Sequence, residues 1–319
     1  MPNRLPVPLS HRKPHARSAC AARNRAPSEP APGTTFPVQS IVIKGLKRTV
    51  RVAAIGDFHT RVDRDFLFGS ALRRVPAQAD LLLIAGDLTD NGRIDEFALV
   101  AAYLADVTVP VVAVLGNHDR RGLRRVAIRR TLEEAGVILL DGESVVLDVP
   151  LAGSVHDGSD DPDHGSGSSA RIEVIGFGGY GGGFWPEEMA EGPPLHRATQ
   201  AVAVRARREA ARLDVTLAAD RTDVDARIVL LHYSPTSSTL GREPSVKYWM
   251  LGNIELARVI DRHDVDLVIH GHAHLGNPAG QTIGGTPVRN VASPVVGRPV
   301  IYRLVDAADE PAMPVAGVQ

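Results

Sequence analysis

The feature that most constrains this chain is a mostly apolar run, Val265 to Ile269, that empties into His270-Gly271-His272-Ala273-His274. The run has the length and composition of a buried strand. Imidazoles two residues apart on an extended or irregular backbone can diverge, so His272 and His274 suit two adjacent metal ions better than one. Such an arrangement needs ligands from elsewhere. Four other segments offer them, each again at the end of an apolar run: Asp57-Phe58-His59, Gly86-Asp87-Leu88-Thr89-Asp90, Gly116-Asn117-His118-Asp119 and Leu231-His232.

The steps from Asp57 to Asp87 and from Asp87 to Asn117 are 30 residues each, the length of one strand-helix-strand unit. Apolar strands at Leu81 to Ala85 and Val111 to Leu115 alternate with helix-period segments at Ile94 to Leu104 and Leu123 to Glu134. Further on come strands at Arg171 to Ile175 and Arg227 to Leu231, an Ala/Arg helix at Ala198 to Leu217 and a helix at Ile254 to Arg262. This alternation predicts an α/β core with parallel strands buried on both faces. Ligands of open α/β sheets collect at the carboxyl ends of strands. Five strands here end in Asp57, Asp87, Asn117, His232 and His272.

The margins of the chain carry less information. Val38 to Ile43 and Val50 to Ile55 flank a turn at Gly45 and predict a hairpin. Thr286 to Leu304 reads as closing strands. Residues 1–37, rich in Pro, Ala and Arg with Glu29 as the sole acid, read as a disordered tail. The tail lacks both the amphipathic stripe of a transit peptide and the apolar run of a secretion signal. Asp148 to Ala170, with His156 and His164, reads as a solvated insertion, and residues 38–307 as one domain followed by a tail at 308–319.

Composition excludes some partners. A formal net charge of −1, with basic residues concentrated only in the tail, gives no footprint for nucleic acid or an acidic membrane surface. The one cysteine, Cys20, excludes an internal disulfide framework and fits a reducing, cytoplasmic setting. No apolar run approaches the roughly 18 residues of a membrane span. The oligomeric state is left open.

The donors are imidazole, carboxylate and one carboxamide, without thiolate. That set suits Mn(II), Fe or Zn, and has too much nitrogen for Ca or Mg alone. Two such cations would deprotonate a shared water near neutral pH, giving a hydroxide for in-line attack on phosphorus.

Taken in order, Asp57-x-His59, Gly86-Asp87-x-x-Asp90, Gly116-Asn117-His118-Asp119, His232 and Gly271-His272-x-His274 resemble the motifs of the calcineurin-like metallophosphoesterase superfamily. The resemblance implies a four-layered α/β/β/α sandwich with two packed mixed sheets. It makes Asp57, His59 and His274 ligands of a first metal, and Asn117, His232 and His272 ligands of a second, with Asp87 bridging. His118 then faces the scissile phosphate, Asp90 orients its ring, and Asp119 is an outer candidate. His270 lies before the motif and is expected to be an outer or core-edge residue. His263, among charged helix-end residues, is expected in solvent.

Protein phosphatases of the superfamily usually carry an arginine directly after the residue equivalent to Asp90. Asn91-Gly92 stand there instead, which counts against phosphoprotein substrates. The segments Leu231 to Pro235, Gly241 to Pro244, His270 to His274 and Asn290 to Ala292 are similar to the bacterial branch related to cyclic-AMP phosphodiesterases. The implied activity is hydrolysis of small phosphodiesters such as cyclic nucleotides. Phosphomonoesterase and nuclease activity are the alternatives within the superfamily, and a metal-free scaffold is the alternative of another class. Arg61 and Arg242 are candidate phosphate contacts, because guanidinium grips two phosphoryl oxygens at once. Gly176 to Gly181 has the G-x-G-x-x-G spacing of a dinucleotide site, but no helix start or later acid supports it. It reads either as a plain Gly-rich surface loop or as a loop beside the crevice, able to bring Tyr180, Phe184 or Trp185 over a substrate.

Overall fold

A strand that is apolar on both faces must be covered on both sides, and most strands of this chain are of that kind. The computed structural model describes residues 35–122, 124–150, 169–184, 197–218 and 223–309. The first half contains β1 (Val38–Val42), β2 (Val50–Ile55), α1 (Gly69–Gln78), β3 (Leu81–Ile84), α2 (Ile94–Leu104), β4 (Val111–Val114), α3 (Arg125–Glu134), β5 (Val137–Leu140) and β6 (Glu143–Pro150). The second contains β7 (Ser169–Phe177), α4 (Arg197–Leu217), β8 (Ala226–Leu231), α5 (Tyr248–Leu251), α6 (Ile254–Ile260), β9 (Leu267–His270), β10 (Ala279–Gln281), β11 (Pro287–Asn290), α7 (Ser293–Val296) and β12 (Val300–Val305).

They form two six-stranded sheets, ordered β1-β12-β2-β3-β4-β5 and β10-β11-β9-β8-β7-β6. Strands β2 to β5 are parallel, as are β7, β8, β9 and β11. Antiparallel pairing of β12 with β2, β6 with β7 and β10 with β11 makes both sheets mixed.

Alternation along each strand sorts the side chains between two layers. Val52, Ala54, Leu83 and Val112 meet Val174, Ile228, Leu230 and Ile269 between the sheets. Their neighbours Ala53, Ile55, Leu82 and Ile84 face the other way, onto Leu72 of α1, Phe97 and Val100 of α2, and Ile128 of α3. On the second sheet Val229, Leu231 and Val268 pack against Leu213 of α4 and Leu256 and Ile260 of α6. The result is the expected α/β/β/α sandwich. Helix α4 buries Ala203, Ala206, Ala210, Leu213 and Leu217, a stripe of three- and four-residue steps. Truncating a wholly buried leucine such as Leu230 to alanine would cost about 2–5 kcal/mol.

The expected hairpin of β1 and β2 does not form. Strand β12 lies between them, parallel to β1 and antiparallel to β2. The cause is burial: β12 is apolar on both faces, with Tyr302 and Leu304 in one core and Ile301 in another, and so takes an interior position. Strand β1 exposes Val38 and Val42 and is suited to the edge. Phe36, inside the stretch read as tail, is buried, and its amide donates to Gln78 Oε1 at 2.8 Å. Asp148 to Pro150 and Ser169-Ala170, the ends of the expected insertion, are paired rungs of the β6–β7 ladder. Residues 151–168, with His156 and His164, lie outside the described residues, as do 1–34 and 310–319.

Candidate metal centre

Strands β2, β3 and β4 are parallel neighbours in one sheet, and β8 and β9 in the other. Their carboxyl ends therefore open at one end of the sandwich and deliver Asp57, Asp87, Asn117, His232 and His272 together. Lateral hydrogen bonds continue the sheets into these loops. The Asp57 amide donates to the Gly86 carbonyl at 2.9 Å, that of His59 to Asp87 at 3.0 Å, and that of Gly271 to His232 at 3.1 Å.

Backbone strain collects at the same place. Among the described residues, the non-glycine residues with positive φ are Asp57 (58°), His59 (46°), Asp87 (48°) and His272 (67°). All four are expected ligands. Each such residue costs about 1–3 kcal/mol and persists only where its surroundings dictate it. Gly86 has φ 85°, and a Cβ there would lie 2.7 Å from His232 Nδ1. Only glycine lets the Asp87 loop approach the His232 ring so closely.

Among the described residues the possible ligand atoms form three groups, one of which, His59 with Asp90 and His118, shares His59 with a second; the other two hold the expected ligands. In one, Asp57 Oδ1 is 2.9 Å from His274 Nε2, which is 3.4 Å from His59 Nε2. In the other, Asp87 Oδ2 is 3.5 Å from His232 Nε2, and His272 completes a set whose ligand atoms lie within 4.8 Å of one another. Asn117 Oδ1 joins at 3.0 Å from His232 Nε2. Asp87 Oδ2 is also 3.8 Å from His59 Nε2, so this carboxylate stands between the groups. Nitrogen and oxygen donors aimed at shared points fit borderline divalent or trivalent cations.

Neighbours orient these side chains. His232 Nδ1 donates to the Ala85 carbonyl at 2.8 Å, which leaves the Nε2 lone pair free for a cation. Asp57 takes the His272 amide on its carboxylate and the Ser293 hydroxyl on its carbonyl, at 3.0 and 2.6 Å. The buried Asp119 accepts from the amides of Leu88, Thr89 and Gly116 and from the Thr89 hydroxyl. It braces the Asp87 and Asn117 loops and has little left for a cation. His270 is buried, with Nδ1 on the Gly271 carbonyl at 2.7 Å and Nε2 on the Thr239 hydroxyl at 2.8 Å. His263 is not free in solvent: its Nε2 is 2.8 Å from Asp214 Oδ1, which ties α6 to α4.

The electrostatics of the cluster favour a cation. Burial, with Asp119 and Asp57 nearby, pushes Asp87 up to about 9. Burial works the same way on Asp57, but the His274 hydrogen bond and the surrounding imidazoles hold it down at about 2. Burial lowers His59 and His232 to about 4 and His272 to about 3. These rings are unprotonated at neutral pH and present lone pairs. In His274 burial is outweighed by the bond to Asp57, which raises it.

His118 sits beside this cluster. Its amide donates to Asp87 Oδ1 at 2.8 Å, and its ring packs edge-on against His59 at 4.5 Å. Its Nδ1 is 2.8 Å from the Asp90 carbonyl and 3.3 Å from the Asp90 carboxylate. A crevice of about 360 Å³ opens over Asp87, His118, His272 and His274, walled by Glu243, Lys247, Met250, Leu251 and Leu275.

The candidate substrate contacts divide. Arg61 is bonded to Asp63 through Nε and Nη2 at 2.8 Å and to Asp90 at 3.1 Å, so its guanidinium is committed to carboxylates. Arg242 is exposed and does not line the crevice, whereas Glu243 and Lys247 do. Tyr180 packs on Tyr233 at 6.3 Å and does not line the crevice, and it is Tyr233 whose ring lies tilted against His272 at 4.4 Å. Phe184 does not overhang a substrate but is buried with Leu240, Leu251 and Ala273. Trp185 lies outside the described residues. Sequence reasoning did not pick out Tyr233, Lys247, Ser293 or Arg121. Tyr233 and Arg121 had local signals, directly after His232 and one helical turn after His118.

Comparison with known proteins places this geometry. A family model described as calcineurin-like phosphoesterase matches residues 50–276. A Fibrobacter succinogenes protein described as a probable cyclic nucleotide phosphodiesterase is 45% identical over 40 residues, 12% of this chain and 16% of that relative. Phosphopantetheinyl Hydrolase from Mycobacterium tuberculosis has a TM-score of 0.50 at 17% identity, covering 76% of this chain and 88% of that one. A purple acid phosphatase from yellow lupin seeds has a TM-score of 0.44 at 15% identity, covering 79% and 45%. The matched segment runs from β2 through His274, the stretch that supplies the gathered donors, and the chain belongs to the calcineurin-like phosphoesterase family.

Proposed function

We propose that the protein hydrolyses small phosphodiesters, such as cyclic nucleotides, with two bound metal ions of the Mn, Fe or Zn type. The observation that carries the reading is the convergence of Asp57, His59 and His274 beside Asp87, His232 and His272. In this reading the first three hold one ion, while Asn117, His232 and His272 hold the other. Asp87 is shared. When bound, two such ions supply Lewis-acid polarisation of the phosphoryl group and an acidified water as nucleophile.

The chain's own residues do the rest. Buried, neutral imidazoles offer lone pairs without first releasing protons, and Asp119 fixes the loops that carry Asp87 and Asn117. His118, at the crevice, is assigned to the substrate's leaving oxygen, with its Nδ1 anchored on Asp90. The crevice volume suits a small molecule. A small-diester substrate is further supported by Asn91-Gly92 after Asp90 and by the short match to the Fibrobacter succinogenes relative.

The test is metal analysis of protein purified without chelator, followed by hydrolysis of bis(p-nitrophenyl) phosphate before and after chelation and with Mn(II) restored. Two ions per chain and chelator-sensitive turnover are expected. A panel of cyclic nucleotides, linear diesters and monoesters then fixes the class. A metal-replete protein inert to all of them refutes the enzyme reading, and a strong preference for monoesters refutes the diester assignment.

A further inference from the structure

Both ring nitrogens of His118 are occupied. Nδ1 is 2.8 Å from the Asp90 carbonyl, and Nε2 is 3.0 Å from Nη2 of Arg121. A guanidinium can only donate and a carbonyl can only accept. The proton therefore sits on Nδ1, and Nε2 accepts from Arg121. The same guanidinium donates through Nη1 to the Asp90 carbonyl at 2.9 Å. One arginine thus closes a ring of contacts around the imidazole expected to face the substrate.

Arg121 differs from the arginines around it. Arg61 is on Asp63 and Asp90, and Arg120 is on Asp141 at 2.8 Å. The partners of Arg121 among the described residues are a carbonyl and an imidazole, neither of them a carboxylate. Its side chain is exposed and is not one of the crevice walls, but its Nη2 lies on the ring of His118, which is. A guanidinium bonds a phosphoryl group bidentately and with charge assistance, a stronger partnership than with a neutral imidazole. While Arg121 stays on Nε2, His118 has no nitrogen to turn toward a substrate.

We propose that Arg121 is the phosphate-gripping residue of this site: at rest it caps His118 Nε2 and fixes the Nδ1–H tautomer, and on substrate binding it transfers to a phosphoryl oxygen and frees Nε2 to take up a solvent proton, which it then passes to the leaving oxygen. The proposal rests on the phosphoester reading above for its second half only. The resting cap stands on the contacts of the chain's own residues.

Imidazole nitrogen NMR on 15N-histidine-labelled, metal-free protein tests the cap. Wild type is expected to show His118 as Nδ1–H, and Arg121→Ala to gain the Nε2–H form. Competitive inhibition by inorganic phosphate, with the metal-loaded protein, tests the transfer. Arg121→Ala is expected to weaken it, and to raise KM, by roughly 10–100-fold, the span of a charge-assisted hydrogen bond, with metal content unchanged. Arg121→Lys, which keeps the charge without the fork, should recover part of the phosphate affinity. An Nε2–H tautomer in wild type overturns the cap. Unchanged phosphate inhibition in Arg121→Ala overturns the transfer. Wild type inactive on every phosphoester would remove the functional reading, while the tautomer measurement would still decide the cap.

Discussion

Removing the metals and lowering the pH together should unfold this protein well before carboxylate chemistry would. His59, His232, His270 and His272 are held by burial at about 4, 4, 4 and 3, against an ordinary value near 6.5. A histidine lowered in the fold is neutral in both states above pH 6.5 and contributes nothing there. As pH falls from 6.5 toward 4 the unfolded chain takes up protons that the folded chain refuses, so stability is lost across that window. Between pH 7 and pH 5 each ring accounts for about 2 kcal/mol, or about 7 kcal/mol for the four. Asp87 works the other way. Raised to about 9, it is protonated in the fold and ionised when unfolded, which returns about 3 kcal/mol over the same two pH units. The raised His274 and Asp119 act in the same direction as Asp87.

The four rings outweigh Asp87 by about 4 kcal/mol, from which His274 and Asp119 subtract, against the roughly 5–15 kcal/mol that holds a domain folded. Urea unfolding of chelator-treated protein at pH 7, 6, 5.5 and 5 measures it. Metal-loaded protein should be more stable at pH 7 but lose stability more steeply on acidification, because a bound cation keeps Asp87 ionised and cancels its opposing contribution. His270→Gln isolates one ring outside the expected ligand set, and should reduce the acid loss by about 2 kcal/mol. An acid loss equal in wild type and His270→Gln would mean that this buried imidazole is charged in the fold, and the reasoning from burial to neutral rings would fail with it.

Three substitutions separate the assigned roles. Asp87→Asn should weaken metal binding by more than the ~10–100-fold typical of an outer partner, with activity falling in parallel; metal titration followed by assay at saturating metal checks this. His118→Ala should keep both metals while turnover falls ~10²–10⁴-fold, and an emptied site on elemental analysis would show that the ring serves the metals instead. Gly86→Ala should destabilise by about 1–3 kcal/mol or more and loosen metal binding, since the new Cβ meets His232 Nδ1 and the backbone resists φ 85°; thermal unfolding with and without Mn(II) reads both effects.

What could be read in the sequence was whatever depends on one strand and its own end. Asp57, Asp87, Asn117, His232 and His272 each follow an apolar run, and parallel packing brings such ends together without further information. The place of β12 between β1 and β2 was not legible, because it follows from burial on both faces of a strand some 250 residues downstream of β2. Nor were the fates of chemically equivalent side chains: Arg61, Arg120 and Arg121 all stand close after site motifs, and only the loops decide which meets a carboxylate and which an imidazole. Asp119 and His270 have ligand chemistry but are turned toward backbone amides and a threonine. One signal linking the motifs was present and is explained only by the structure. Asp87, Asn117 and His272 each follow a glycine, and so does Asp57. A Cβ on Gly116 would enter the Asp87 carboxylate, and one on Gly271 would enter that of Asp57. At Gly86, Gly116 and Gly271 the space a side chain would have filled before one candidate ligand is taken by another candidate ligand from a neighbouring loop, while at Gly56 it is taken by Ala85. The glycines therefore report contact between loops, which no single motif contains, and together they predict that the donors nest.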